Sequence, residues 1–402
     1  MTWARNERAR RGRAASVAYP AGARAFRGVA VSFLVHGLIV STWISRVVSI
    51  KELLHLNDGA LGLDLLGGAI GSVLATPFCG VLIGRFGARR MTQASGVGLA
   101  LALVLPGLAW NGPSLFASLL FFGMAMGTND VSMNAQAVAT EKLLNVRAIS
   151  RFHSLFSIGA IAGSFAGVPL AARGISPVTH FALASAMLLC VSIWGSSILP
   201  DLATTREPSP LALHRLPPAL FALAAAGFCA LLSEGAIADW TGVFLRQVIH
   251  SSEAFAPMGY GVFSASMSIF RMAGDHITQS LGESRTVRLG GLIAAVSITL
   301  MVAVSNQWIV LAALVGAGAG LSSIVPLVFA AGGRVTELGE GGGVAAVTGF
   351  GYLGFLVGPP VIGFLAQALN LRWGLFFLVL LTAAAAWFAG VVERRAPELW
   401  RV

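Results

Sequence analysis

The chain has 402 residues, of which 56% are hydrophobic and only 11% charged, with 48 glycines and a formal net charge of +10. A soluble domain of this length carries about twice that charged fraction, so the composition excludes an ordinary soluble enzyme and points to helices packed in a bilayer. The basic excess does not mark a nucleic-acid binder, because the basic residues fall at the ends of apolar stretches rather than on one patch.

In chain order, residues 1–25 form a polar arm with arginines at Arg5, Arg8, Arg10, Arg11, Arg13 and Arg24, followed by Arg27. The arm is expected to be a disordered cytoplasmic segment that helps set orientation. A full-length span follows it, not the short apolar core of a cleaved signal. Segments long enough to cross a bilayer, about 20 residues each, are predicted at 26–48, 59–83, 91–110, 113–138, 152–172 and 178–199. A proline-rich linker, 200–217, then interrupts the pattern. Six more spans are predicted at 218–246, 255–281, 287–304, 308–331, 342–368 and 373–392, with a polar tail at 394–402. The expected domains are two six-helix bundles, 26–199 and 218–393.

Charge placement supports this map. With the N-terminus inside, 22 of the 27 basic residues lie in cytoplasmic segments or the cytoplasmic halves of the spans, and Arg46, Lys51, Arg173, Arg246 and Arg372 lie toward the outside. Excess Lys and Arg on cytoplasmic loops is the positive-inside pattern, so both termini are expected in the cytoplasm and the membrane is read as the inner one.

The fourth span is the most informative stretch. Between Gly123 and Gly127 on one side and Glu141 on the other, it places Asn129, Asp130, Asn134 and Gln136 in an apolar helix. Such groups are costly in hydrocarbon and persist where they line a wet cavity or bond between helices. Asp130 and Asn134 are four apart and share a face. Glu234, near the middle of the seventh span, is a second intramembrane carboxylate. Asp239 lies five residues further and points some 140° away, so the two are not one site. For each acid the alternative to a proton-binding role is an interhelical bond: Asp130 to His153, Asp239 to Arg46, and Asp64 to Arg46 or Lys51 as an outer latch. His36 and Trp43, seven apart on the first span, form a candidate pair facing solute.

The two halves echo each other. Gly123-x3-Gly127 precedes Asp130 in the fourth span; Gly316-x3-Gly320 precedes Ser323 in the tenth, with Pro326 close to the place of Asn134. Gly159-x3-Gly163 in the fifth span matches Gly354-x3-Gly358 in the eleventh, where Pro359 and Pro360 add a kink. Parallel six-span halves are expected of an alternating-access carrier. No phosphate-cradling loop and no His/Cys set with metal spacing are present in the sequence, so no cofactor or metal is expected and no enzyme. Cys79, Cys190 and Cys229 are scattered in apolar stretches and read as small hydrophobes.

The run from Gly80 through Arg85-Phe86-Gly87 to Arg89-Arg90 resembles the G-x-x-x-D-R-x-G-R-R signature of the major facilitator superfamily, with Gly84 in place of the acid. Arg271, Gly274, Asp275, Gly282 and Arg285 are remnants of it in the second half. Asp130-x3-Asn134, Arg151-Phe-His153, Glu234 to Trp240 and Gly351-Tyr-Leu-Gly354 narrow the resemblance to the YbjJ-like branch, related to the fucose permeases. The resemblance implies twelve helices in two pseudo-symmetric bundles and a proton-coupled carrier of a small polar solute, with sugar-like compounds one candidate class, working as a monomer. In fucose permeases an acid four residues before an asparagine on the fourth span belongs to proton-coupled sugar uptake; their carboxylate on the first span has no counterpart between Phe26 and Ile50. On this reading Asp130 and Glu234 couple protons, and Asn134, Asn129, His36, Trp43 and Asp239 contact solute. Arg85, Arg89, Arg90, His153 and Asp275 are the expected gating residues. An exporter of a drug-like or biosynthetic product is the alternative, and a non-transporting sensor, lacking an output domain, the weaker one.

Overall fold

The structure is a computed structural model that describes residues 2–146, 148–202, 218–335 and 342–393. The linker expected at 200–217, apart from its first three residues, and the tail at 394–402 lie outside the described residues. Every regular element among the described residues is helical. In the first half, α1 (Thr2–Ile44) and the short α2 (Val47–Leu53) form the first span. They are followed by α3 (Asp58–Phe86), α4 (Ala88–Ala102) ending in a 3-10 turn at Leu105–Leu108, α5 (Gly112–Leu144), α6 (Ile149–Ala172) and α7 (Pro177–Ser197). In the second half come α8 (Pro218–Gln247), α9 (Ala256–Leu281), α10 (Glu283–Ala303), α11 (Gln307–Leu321) with α12 (Ile324–Gly333), α13 (Gly342–Ala368), and α14 (Leu371–Phe388) with α15 (Gly390–Glu393).

Ten of these segments are long and apolar enough to cross a membrane. The other two long helices, α5 and α9, have the length, but their polar residues, Asn129 to Gln136 and Arg271 to His276, lower their apolarity. The arm expected to be disordered is instead continuous with α1 along the backbone from Thr2; arginine and alanine are among the stronger helix formers. The tenth span, expected as one helix, is two, divided at Ser322 and Ser323.

The pairing of helices repeats between halves. In the first, α1 packs on α6 and α7, α3 on α5, and α4 on α5 and α7; in the second, α8 packs on α13 and α14, α9 on α11, and α10 on α11 and α14. Small-residue faces permit these approaches, since helices in lipid are drawn together by close packing. A Cβ on Gly123 would run into the Gly68 carbonyl, one on Gly159 into the Leu34 carbonyl, and one on Gly320 into the Gly290 carbonyl. The glycine pairs read from the sequence are therefore helix-contact points in both halves.

Between the halves, contact concentrates on α3 with α13, α6 with α9, and α2 with α8. The closest approaches lie at the end away from the arginine-rich loops. There Gly62 meets Pro359 and Gly363, and Ser164 Oγ donates to the Pro257 carbonyl at 2.7 Å. Lys51 Nζ donates to Gln247 Oε1 at 2.5 Å and Arg246 pairs with Glu52 at 3.0 Å. At the basic end, among the described residues, no hydrogen bond or ion pair joins the two halves, and Ile269 to Met272 of α9 are exposed. A cleft between the bundles thus opens toward the basic end and is closed at the other.

Candidate functional site

The polar residues of the first half divide into two sets according to the face of α5 they occupy. Asn129 is buried and turned into the bundle, where its Oδ1 is 2.9 Å from His36 Nδ1 and its Nδ2 donates to Ser95 Oγ at 3.1 Å. Ser95 Oγ is in turn 3.0 Å from Ser132 Oγ. This relay joins α1, α4 and α5, and it satisfies groups that would be costly left unpaired. Trp43 is likewise interior, packed against Phe181 of α7 with ring centroids 6.2 Å apart. Of the five residues expected to contact solute, His36, Asn129 and Trp43 are therefore bundle interior and do not face the cleft. His36 and Trp43 do lie on one side of the first span, but that side packs onto α5 and α7.

Asp130 and Asn134 occupy the neighbouring face and are only partly buried. Asn134 Nδ2 donates to the Asp130 carbonyl at 2.9 Å and to its Oδ1 at 3.1 Å, so the pair forms one local unit. Asp130 also lies within electrostatic reach of His36, of His153 on α6 and of Tyr352 on α13. His153 stands edge-on to Phe33 at 5.1 Å. The expected neighbourhood of Asp130 and His153 is present as proximity, without a direct hydrogen bond.

The second half brings Glu234 and Asp239 of α8, both partly buried, around Tyr260 and Tyr352. Arg271 of α9, in the sequence a mere remnant of the loop signature, joins them. Its Nη2 lies 4.0 Å from Glu234 Oε2, and its Nε donates to the Ser322 carbonyl at 3.3 Å. It is also within reach of His153 across the cleft. Tyr352 is 48% exposed and packs on Phe355, with ring centroids 6.2 Å apart, giving the second half an accessible aromatic wall. Asp130, Glu234, His36, Arg271 and the α11–α12 break all lie near the middle of their spans. Acids, the Asn134 amide, the Arg271 guanidinium and the phenols of Tyr260 and Tyr352 are thus gathered between the halves, groups able to donate and accept hydrogen bonds.

Several expected pairings are different in the structure. Arg46 is completely buried and bonds neither Asp64 nor Asp239. It pairs with Glu253 at 3.1 Å, donates through Nε to His180 Nδ1 at 3.1 Å and through Nη2 to the Ile175 carbonyl at 2.9 Å. Ser49 Oγ donates to the same Glu253 oxygen at 2.6 Å. Lys51 pairs with Asp58 at 2.6 Å. Asp64 is buried against the first turn of α5, where a Cβ on Gly112 would meet its Oδ2 at 3.0 Å, beside the positive end of that helix. The outer contact is thus built on Glu253, which lies in a short loop and carries no helical signal. At the basic end, Arg85 lies over the Phe86 ring at 5.4 Å, Arg90 and Asp275 are exposed, and Arg89 is partly buried with its Nε unpartnered. Among the described residues, no bond links these expected gating residues across the gap. A Cβ on Gly84 would meet nothing within 4 Å, so the missing acid leaves open space.

Two pseudo-symmetric helical bundles, with ionisable groups between them and a cleft closed at one end, define a membrane carrier and not an enzyme. The chain belongs to the major facilitator superfamily, whose family model matches residues 28–336. It is 34% identical over 359 residues to an uncharacterised MFS-type transporter of Yersinia pestis, covering 89% of this chain and 93% of the relative. It is 30% identical over 356 residues to the membrane protein MosC of Rhizobium meliloti, covering 87% and 86%. Among solved structures, a bacterial homologue of the human lysosomal transporter Spinster, inward-facing and unoccupied, superposes with a TM-score of 0.75 at 13% identity, covering 93% of this chain and 97% of that one. A D-xylose–proton symporter superposes with a TM-score of 0.70 at 12% identity, covering 91% and 96%. At these identities the structural likeness speaks for the fold.

Proposed function

We propose that this chain is a secondary active transporter that moves a small polar organic solute across the inner membrane by alternating access, coupled to protons. Both termini and the basic end face the cytoplasm on this reading, so the cleft described above opens inward. The carrying observation is Asp130. It sits at mid-depth on the cleft-facing side of α5, bonded to Asn134 of its own helix and opposite the Glu234–Arg271 pair of the other half. A carboxylate there can take up a proton from one side and release it to the other as the halves rock. Asn134, Asp239, Tyr260 and Tyr352 supply hydrogen-bonding and stacking groups for a hydroxylated solute, and a sugar-like cargo fits them.

The test is pH change in weakly buffered proteoliposomes offered a panel of sugars, amino sugars, nucleosides and other small polar solutes. Native protein should show a solute-dependent proton flux, and Asp130→Asn should abolish it while leaving solute exchange. Solute movement with no proton flux in the native protein would refute the coupling.

A further inference from the structure

Arg271 has a partner that its sequence context hides, and Pro326 supplies the reason. In a continuous helix the Ser322 carbonyl would accept from the N–H of residue 326. Proline has no N–H, so α11 and α12 part at Ser322 and Ser323 and this carbonyl is left free near mid-membrane, where water is scarce. Arg271 Nε fills it at 3.3 Å. The rest of the guanidinium is loosely held: Nη2 contacts Met267 Sδ at 3.1 Å and lies 4.0 Å from Glu234 Oε2. The cation is therefore held by one backbone oxygen and one weakly accepting sulfur, and its carboxylate contact is long.

The groups around it come from both halves. Glu234 of α8 and Tyr260 of its own helix lie on the near side, with Asp239 beside Tyr260. His153 of α6 is within reach across the cleft and is itself within reach of Asp130 and His36. Tyr352 of α13 lies within reach of both Asp130 and Glu234. Asp275 and His276, about a turn further along α9, are exposed toward the basic end. Arg271 thus lies beside the acid of its own half and within reach of His153, which is within reach of Asp130 in the other.

We propose that Arg271 is the exchangeable counter-ion of the coupling acids, remaining on Glu234 while Asp130 holds a proton and drawn across the cleft toward Asp130 when that proton leaves. It rests on the coupled-carrier reading above and makes Arg271 a positioning residue rather than a proton carrier. Deprotonation of Asp130 leaves a carboxylate that attracts the guanidinium past His153, pulling the basic-end half of α9 toward α5 and α6 and closing the cleft. Protonation removes that attraction, and the halves part at the basic end. The tenth span carries Ser323 where the fourth carries Asp130, and Leu327 where it carries Asn134, with Pro326 one residue before. The two copies of the repeat therefore play different parts, one supplying the acid and the other the seat for its cation.

The test needs no cargo, only protons. Spin labels on Ser150→Cys at the start of α6 and Ser280→Cys at the end of α9, in a background with Cys79, Cys190 and Cys229 replaced by alanine, report the width of the cleft. In native-like protein the ratio of wide to narrow distances should fall from acidic to alkaline pH by about 5–150-fold, the usual span of coupling between two sites. Arg271→Gln should flatten this dependence, and Asp130→Asn should hold the cleft wide at every pH. Pro326→Ala, which returns a donor to the Ser322 carbonyl, should move the midpoint pH without abolishing the transition. Arg271→Lys, which keeps the charge but loses the fork, should also move it, and it replaces Arg271→Gln if that variant does not fold. An unchanged pH dependence in Arg271→Gln, or in both Arg271→Lys and Pro326→Ala, overturns the proposal, as does a native cleft indifferent to pH. The solute-driven proton flux measured separately decides whether the carrier reading falls with it.

Discussion

The contact that holds the halves together away from the basic end can be weighed from its geometry. Arg46 is completely buried and Glu253 is 37% exposed, at 3.1 Å. Breaking a buried ion pair by removing one partner costs about 3–5 kcal/mol, and an exposed pair is worth about 0–1 kcal/mol. This pair has one member of each kind. Glu253→Gln keeps an acceptor for Arg46 and for Ser49 but removes the charge, so a loss of about 1–2 kcal/mol is expected, a factor of 5–30 in an equilibrium. That loss falls only on the state in which this end is closed, because Arg46 and Glu253 belong to opposite halves. Ser164 reports it: its side chain is completely buried at the interface, donating to the Pro257 carbonyl. In the cysteine-replaced background, Ser164→Cys should react with a membrane-impermeant maleimide about 5–30-fold faster when Glu253→Gln is added. An unchanged labelling rate would show that Arg46–Glu253 does not hold this end shut, and the closure would have to be assigned to the glycine and proline contacts of α3 with α13.

Two further outcomes separate structural from functional polar residues. Asn129→Leu breaks the relay between His36 and Ser95 and leaves buried groups without partners, a cost of about 1–3 kcal/mol, seen as a lower melting temperature in detergent; Asp130→Asn, one residue on but facing the cleft, should melt within about 0.5 kcal/mol of the native protein. Gly123→Val places a branched side chain against the Gly68 carbonyl and should destabilise by at least about 1–3 kcal/mol, as overpacking does. A Gly123→Val protein that melts like the native one would contradict the close α3–α5 contact.

The spans, the two bundles and the glycine contact points were legible because each rests on composition or on spacing along a single helix. What faces what was not. The 3.6-residue period places Asn129 and Asp130 about 100° apart, but it does not say which of the two looks into the bundle. The structure turns Asn129 inward to His36 and Ser95 and leaves Asp130 and Asn134 at the cleft. Arg46 illustrates the same limit. In the sequence it is an outer basic residue matched to Asp64 or Asp239, yet it is buried because Glu253, His180 and the Ile175 carbonyl, 129 to 207 residues away in the chain, converge on it. Long-range convergence of this kind leaves no periodic trace. Arg271 does carry a local signal: an arginine inside a predicted span needs an acceptor, and a proline inside another span frees one.

The pairing of Arg271 with the proline-broken span bears on how the two halves differ. Repetition of the helix contacts gives both bundles the same frame, and within it they differ at mid-depth positions facing the cleft. At the matched place on the fourth and tenth spans, an intact helix bearing Asp130 stands against one bearing Ser323 and broken by Pro326 three residues on. An intact helix satisfies its own carbonyls and presents a side-chain acid; a broken one presents a backbone oxygen and so can seat a cation from its neighbour. A symmetric pair of acids would repel across the narrowing cleft when both are ionised, and a symmetric pair of cations likewise. An acid on one side and a tethered arginine on the other attract when the acid is ionised and cease to attract when it is neutral. On the proposed coupling, the absence of a carboxylate at Ser323 is what lets a single proton switch the attraction across the cleft on and off.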